Sequence, residues 1–118
     1  MSKGLKLLGI LAVVAIAISA LAADMPGVGR TYNLTIINPV KVGNTVLQAG
    51  DYKVKHIMEG NQHVMVFKLD SKEVVRANCT MEPVKNRAES TMQEVSTANG
   101  GRTLVAVTFA GEKIKHVF

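Results

Sequence analysis

Alternation of apolar and polar residues runs through most of the chain from residue 31 onward. In "DYKVKHIM" (51–58), every second residue from Tyr52 would point to one side of a strand. Further strand-like segments, separated by Gly, Asn, Asp, Ser or Pro, cover residues 31–37, 40–48, 63–69, 73–81, 91–97, 102–109 and 113–118. Helical spacing of apolar residues never extends beyond about two turns in this pattern.

The segments predict an all-β domain over residues 31–118. About seven or eight short strands, with turns every 8–12 residues or so, are typical of a single antiparallel β-sandwich or of a small barrel. We expect the sandwich, because an open sandwich tolerates irregular spacing between strands.

The first residues predict export. Lys3 and Lys6 precede an uncharged apolar run from residue 7 to 21, and small residues follow it. This pattern predicts a signal peptide over 1–22, cleaved after Ala22 or after Ala23, and a flexible leader over 23–30. An uncleaved anchor is the alternative. We therefore expect a secreted or periplasmic protein that meets the membrane only through its signal sequence.

The charge and the cysteine content of the chain exclude some kinds of partner and of covalent cross-link. Without the two signal-peptide lysines, 12 basic residues oppose 9 acidic residues, a net charge of +3. Basic residues form no dense run and tryptophan is absent from the sequence, so we expect no nucleic-acid partner. Cys79 is the lone cysteine and excludes an intrachain disulfide. A buried Cys79 is the simplest interpretation, with intermolecular pairing or metal ligation as the alternatives.

Pairing of the predicted strands brings sulfur and imidazole groups together. With Glu59 to Gln62 as the turn, Met58 lies opposite His63 and His56 lies opposite Met65. A three-residue loop over 70–72 would then place Leu69 opposite Glu73 and His63 opposite Cys79, with the apolar side chains facing inward.

These residues give the only candidate site that the pattern offers. Two imidazoles, a thiolate and a thioether from His56, His63, Cys79 and Met65 are the ligand types of a copper centre. However, strand side chains stand roughly parallel, and methionine and cysteine often serve as core filler. Copper sites of the cupredoxin family usually take Cys, His and Met from one loop, whereas the only histidine after Cys79 is His116. We therefore expect core packing first, with copper binding or electron transfer as the alternative.

Catalytic motifs give no support for an enzyme. The sequence has no nucleophile-elbow motif, no glycine-rich phosphate loop and no HExxH motif. Its carboxylates fall mostly in predicted turns or on polar faces, where solvation is the default. We predict that the chain has no catalytic residues and no cofactor, with copper as the alternative.

One segment resembles a known class of domain. "VKVGNTVLQAGDYKVK" (40–55), with Gly43, Leu47, Gly50 and Tyr52, is similar to the "GxxLPAGxYxV" segment of small secreted bacterial β-domains. Gln48 stands where that pattern has proline, and "FAG" (109–111) resembles the closing motif of the same class. The turn is also similar to one in sandwich domains of the transthyretin and carboxypeptidase-regulatory kind. The resemblance implies an exported β-domain without enzyme activity, and it implies no functional residues.

The expected function is therefore a non-enzymatic binding, structural or assembly module outside the cytoplasm. Its partner would be a protein or another cell-envelope component. Self-association through an edge strand is one form of this hypothesis, because "TYNLTII" (31–37) could pair with the sheet edge of a second copy.

Overall fold

The computed structural model describes residues 28–98 and 100–118 of the 118-residue chain. The predicted signal peptide (1–22) and most of the predicted leader lie outside these residues. Within the described ranges no helix is long and apolar enough to cross a membrane.

The all-β prediction is confirmed for the described part of the chain, which contains nine strands. They are β1 (Thr31–Ile36), β2 (Val40–Val42), β3 (Thr45–Leu47), β4 (Gly50–Glu59), β5 (Gln62–Leu69), β6 (Lys72–Pro83), β7 (Met92–Ser96), β8 (Thr103–Thr108) and β9 (Ile114–Val117). The predicted count of seven or eight is too low because segment 40–48 is two strands. Gly43, with a φ of 59°, turns the chain between β2 and β3 in a conformation that glycine adopts readily.

Hydrogen bonding joins the nine strands into one sheet. The order is β1-β4-β5-β6-β9-β8-β2-β3, and β7 pairs with β8 beside this path. Neighbours are antiparallel except β2 and β8, which are parallel where Lys41 lies opposite Thr103. One half of this order is β1-β4-β5 and the other is β9-β8-β2-β3, with β6 between them. Side chains from both halves form one buried cluster, so the sheet curves around a common core.

Strand β6 connects the two halves. Its residues from Lys72 to Cys79 pair with β5, and those from Thr80 to Pro83 pair with β9. The change of partner therefore falls between Cys79 and Thr80. This position allows the inner face of β6 to meet side chains from both halves of the sheet.

The first predicted hairpin is confirmed, with a tighter turn. Met58 lies opposite His63 and His56 lies opposite Met65, as alternation predicts. However, the loop contains only Gly60 and Asn61, because Glu59 and Gln62 already pair with each other.

The second predicted hairpin has the right inward face but the wrong loop. His63 lies opposite Cys79 as predicted, yet Leu69 lies opposite Lys72 rather than Glu73. The loop has two residues, Asp70 and Ser71, both with positive φ, as in the two-residue turns that fit strand twist. A β-bulge absorbs the extra residue on β6 and returns the apolar side chains to the core.

The core is built by the alternation along the strands. Tyr52, Phe67 and Phe109 are its largest fully buried side chains. Each of the two phenylalanines contributes roughly 1.5–3 kcal/mol on removal from water. The Tyr52 hydroxyl lies at the rim of the core and donates a hydrogen bond of 2.7 Å to the carbonyl oxygen of Gln48. The ring therefore packs inside while its polar end is satisfied.

Candidate metal centre

Three strands place potential ligands on the inner face of the sheet. On β4, His56 follows Tyr52 and Val54 at every second position, so all three side chains are buried. Cys79 lies at the change of partner on β6, and His116 is the buried residue of β9. The same pleat that builds the core thus directs two imidazoles and a thiol into it.

The three side chains converge. His56, Cys79 and His116 each offer one ligand atom, and these atoms lie within 4.8 Å of one another. The rings of His56 and His116 meet edge to face, with centroids 5.1 Å apart and an interplanar angle of 84°. Both histidines are 0% exposed and Cys79 is 3% exposed. They form a compact, water-excluded cluster, which we call the His2Cys centre.

The ring nitrogens in this cluster are incompletely paired. His56 Nδ1 and both ring nitrogens of His116 are buried and have no hydrogen-bond partner among the described residues. Most buried polar atoms in folded proteins have a partner, because each unpaired atom costs about 1–3 kcal/mol. Three such atoms beside a buried thiol are unusual for simple core packing. Each neutral imidazole has one lone pair, and a bound cation would give these two lone pairs a partner.

His63 lies at the edge of the His2Cys centre. It is half-buried, and its Nδ1 is 2.9 Å from His56 Nε2. If His56 Nε2–H donates to His63 Nδ1, the unpartnered Nδ1 of neutral His56 carries a free lone pair. Hydrogen bonds of this kind commonly fix the tautomer of a metal-binding histidine. The geometry therefore gives His63 an orienting contact with His56.

A polar network flanks His116. Glu112 Oε1 is 3.7 Å from His116 Nε2, and its side chain is only 11% exposed. Tyr32 donates a 2.8 Å hydrogen bond to Glu112 Oε2, and Arg30 Nη1 lies 3.2 Å from the same oxygen. Tyr32 in turn stacks on Phe109, with ring centroids 3.9 Å apart. The Glu112 carboxylate is thus held beside the imidazole, as carboxylates are in the outer shell of many metal sites.

Burial sets the protonation of the ligands. Burial, reinforced by His116 and His63, lowers the pKa of His56 to about 4. Burial also lowers the pKa of His116, although the neighbouring Glu112 opposes this effect. Both imidazoles are therefore neutral at pH 7 and can donate lone pairs to a metal. Burial raises the pKa of the Cys79 thiol to about 11, so a metal must displace its proton.

The predicted and observed clusters overlap in part. His56 and Cys79 come together as predicted, while His63 contacts His56 outside the group of three convergent ligand atoms. Met65 is fully buried opposite His56. His116 is the residue that sequence reasoning missed. Its only sequence signal is a histidine within the last alternating segment, "KIKHVF" (113–118).

The donor set fits a transition metal. Imidazole and thiolate bind zinc and copper, with bonds of about 2.0–2.3 Å to zinc. Three ligands around one ion at such distances are at most about 4 Å apart. The observed limit of 4.8 Å therefore requires only a small inward movement of the side chains. No family model, curated protein or solved structure matches this chain, so the interpretation of the His2Cys centre depends on its own residues.

Proposed function

We propose that this chain is an exported, non-enzymatic β-domain that binds one copper ion through His56, Cys79 and His116. The observation that carries the proposal is the set of three buried ring nitrogens without partners beside the Cys79 thiol. Neutral imidazoles and a displaceable thiol proton give a ligand set of net charge −1 once a metal has bound.

Copper(I) suits this ligand set better than zinc. Structural zinc sites usually have four tetrahedral protein ligands, whereas the His2Cys centre has three convergent ligand atoms. Thiolate and imidazole bind zinc as well as copper(I), but a thioether is not among the usual ligands of zinc. Met65 lies opposite His56 and adds a soft sulfur atom to the surroundings of the centre.

The remaining features of the proposal concern fold and compartment. We infer a sandwich-like arrangement in which the two halves of the sheet face each other across the common core and β6 belongs to both. The hydropathy pattern of residues 1–22 supports export to the periplasm or the exterior. The resemblance to small secreted bacterial β-domains supports the same compartment and the absence of enzyme activity.

Anaerobic copper(I) titration in competition with a chromogenic chelator tests the proposal. The expected result is one tightly held copper ion per chain, and at least tenfold weaker binding for Cys79→Ser and for His116→Asn. Met92→Leu is the matched control, because Met92 is exposed on β7 outside the His2Cys centre. A folded wild-type protein that retains no copper would contradict the proposal, as would unchanged affinity in both ligand variants.

Self-association is a second candidate function, favoured by exposed apolar side chains at the two ends of the sheet. Among the described strands, β1 and β3 end the hydrogen-bonded order. Ile37, directly after β1, is 79% exposed, and Val46 in β3 is 53% exposed. Edges of this kind can pair with another strand. Sedimentation of the wild type and of an Ile37→Lys/Val46→Lys variant tests the idea, and a monomeric wild type would exclude it.

A further inference from the structure

Each of the three histidines in this sequence lies directly opposite a methionine. His56 pairs with Met65 and His63 with Met58 across the β4–β5 hairpin, and His116 pairs with Met81 across β6 and β9. Directly opposed residues in antiparallel strands have Cβ atoms about 4.5–5.5 Å apart. A methionine is therefore a direct cross-strand neighbour of every histidine of the chain.

The side chains of these pairs differ in how deeply they are buried. His56 and Met65 are fully buried, whereas Met58, His63 and Met81 are half-buried. Residues two apart on a strand share a face, so Met58 is the next inward-facing residue after His56 on β4, and Met81 is the next after Cys79 on β6. In the observed registers both steps lead toward the Gly60–Asn61 turn. Met58, His63 and Met81 thus lie between the buried centre and the solvent at that end, and we call them the outer Met–His site.

His63 links the two layers. Its Nδ1 is 2.9 Å from His56 Nε2, and Cys79 is its cross-strand partner on β6. A metal held by His63 Nδ1, in place of this hydrogen bond, would therefore need to move only a few ångströms to reach the first buried ligands.

Resting on the copper-binding function proposed above, we propose that Met58, His63 and Met81 form an outer site that passes copper(I) between the His2Cys centre and a partner presenting thiol or thioether ligands. The transfer is a ligand exchange without change of oxidation state. Bonds from copper to the outer sulfur atoms and imidazole break as bonds to His56, Cys79 and His116 form. The Cys79 thiol gives its proton to water as the copper–thiolate bond forms.

The ligand chemistry favours movement in steps. Thioethers are neutral, soft ligands that bind copper(I) without losing a proton, so they release it more readily than a thiolate does. The buried centre adds an anionic sulfur and two neutral imidazoles. The affinity should therefore increase from the outer site to the His2Cys centre. Methionine as core filler explains Met65, but it explains Met58 and Met81 less well, because neither is fully buried.

A kinetic comparison tests the outer site. Copper(I) is supplied as its bicinchoninate complex, and transfer to the full chain is followed by loss of the complex's absorbance. We expect Met58→Leu/Met81→Leu to keep one copper ion per chain and wild-type affinity within about threefold, while transfer is at least tenfold slower. Leucine preserves volume and apolarity, so the fold should tolerate both changes. Met92→Leu is the matched control and should transfer at the wild-type rate.

Different outcomes separate the two proposals. A double variant that transfers as fast as Met92→Leu overturns the outer site. A folded double variant that loses copper at equilibrium also overturns it, because the methionines would then be ligands of the centre itself. A wild-type chain that holds no copper refutes the proposed function instead.

A second measurement uses the unaltered chain. Silver(I) replaces copper(I) as a redox-inert probe, and methionine oxidation by peroxide is measured by mass spectrometry. When silver(I) exceeds one equivalent, Met58 and Met81 should oxidise at least tenfold more slowly than without silver, while Met92 should not change. Equal oxidation of Met58 and Met81 with and without silver would overturn the proposal.

Discussion

The His56 imidazole should make the stability of the metal-free protein depend on pH in a defined acid range. In the folded chain the pKa of His56 is lowered from 6.5 to about 4 by burial, with smaller contributions from His116 and His63. As the pH falls below 6.5, the unfolded chain binds a proton at this residue and the folded chain does not. The free energy of unfolding therefore falls with decreasing pH until about pH 4, where the folded chain is protonated as well.

The size of the effect follows from the difference between the two pKa values. Each unit of pKa difference corresponds to about 1.36 kcal/mol, so His56 removes about 3 kcal/mol of stability between pH 6.5 and pH 4. This loss is a large part of the roughly 5–15 kcal/mol that stabilises an ordinary domain. Above pH 6.5 the contribution is constant, because His56 is neutral in both states.

Urea unfolding in the presence of a chelator measures the effect. We expect the stability difference between the wild type and His56→Leu to shift by about 3 kcal/mol between pH 7 and pH 4, with the wild type losing more. Titrating groups that do not interact with His56 cancel in this difference, whereas His63 and His116 contribute to it. Met92→Leu, measured alongside, should follow the wild-type profile. A wild-type-minus-His56→Leu difference that does not change with pH would refute the proposed burial of an uncharged His56.

Three further predictions concern other groups. Metal binding should release a proton from Cys79, because the pKa of its thiol is about 11 in the metal-free chain. Calorimetry in buffers of different ionisation enthalpy measures the number of protons released, and zero release would exclude a thiolate ligand. Tyr32→Phe should cost about 1 kcal/mol in urea unfolding, because it loses the bond to Glu112 but keeps its ring; no change would mean that the bond adds no stability. Ser71 and Gly60 have φ angles of 69° and 60°, in the left-handed region that favours glycine. Ser71→Gly should therefore stabilise the protein by about 0.5–1 kcal/mol in urea unfolding, and Gly60→Ala should destabilise it by a similar amount. The opposite signs would contradict the turn geometry.

Local patterns explain why the hairpins could be predicted. Alternation along β4 and β5 gives the inward face, and the turn between them fixes which residues lie opposite each other. His56, His63 and Cys79 could therefore be placed near one another from the sequence. The β5–β6 loop was mispredicted because sequence gives no sign of the bulge that compensates for a shorter turn. The inward face was still correct, since burying Cys79 rather than Asn78 is favourable in either arrangement.

Long-range pairing explains what could not be predicted. His116 reaches the centre because β6 changes partner from β5 to β9 at Cys79. Alternation within β9 indicates a strand but does not identify its neighbour. The contact between Glu112 and Tyr32 depends on the same topology, because it joins opposite ends of the described chain. Side chains brought together only by strand order leave no local pattern in the sequence.

The ligands of the His2Cys centre come from β4, β6 and β9, which are far apart in the sequence. A bound ion would therefore cross-link distant parts of the chain, as a disulfide does. One ion would close two loops, of about 23 residues from His56 to Cys79 and about 37 from Cys79 to His116. In the chain-entropy description, a single closure of that size restricts the unfolded chain by about 3 kcal/mol or more. Exported proteins often obtain such restriction from disulfides, which one cysteine cannot form within the chain. The metal would thus stabilise the contact between the two halves of the sheet reversibly. Its loss would destabilise that contact without any change in covalent structure.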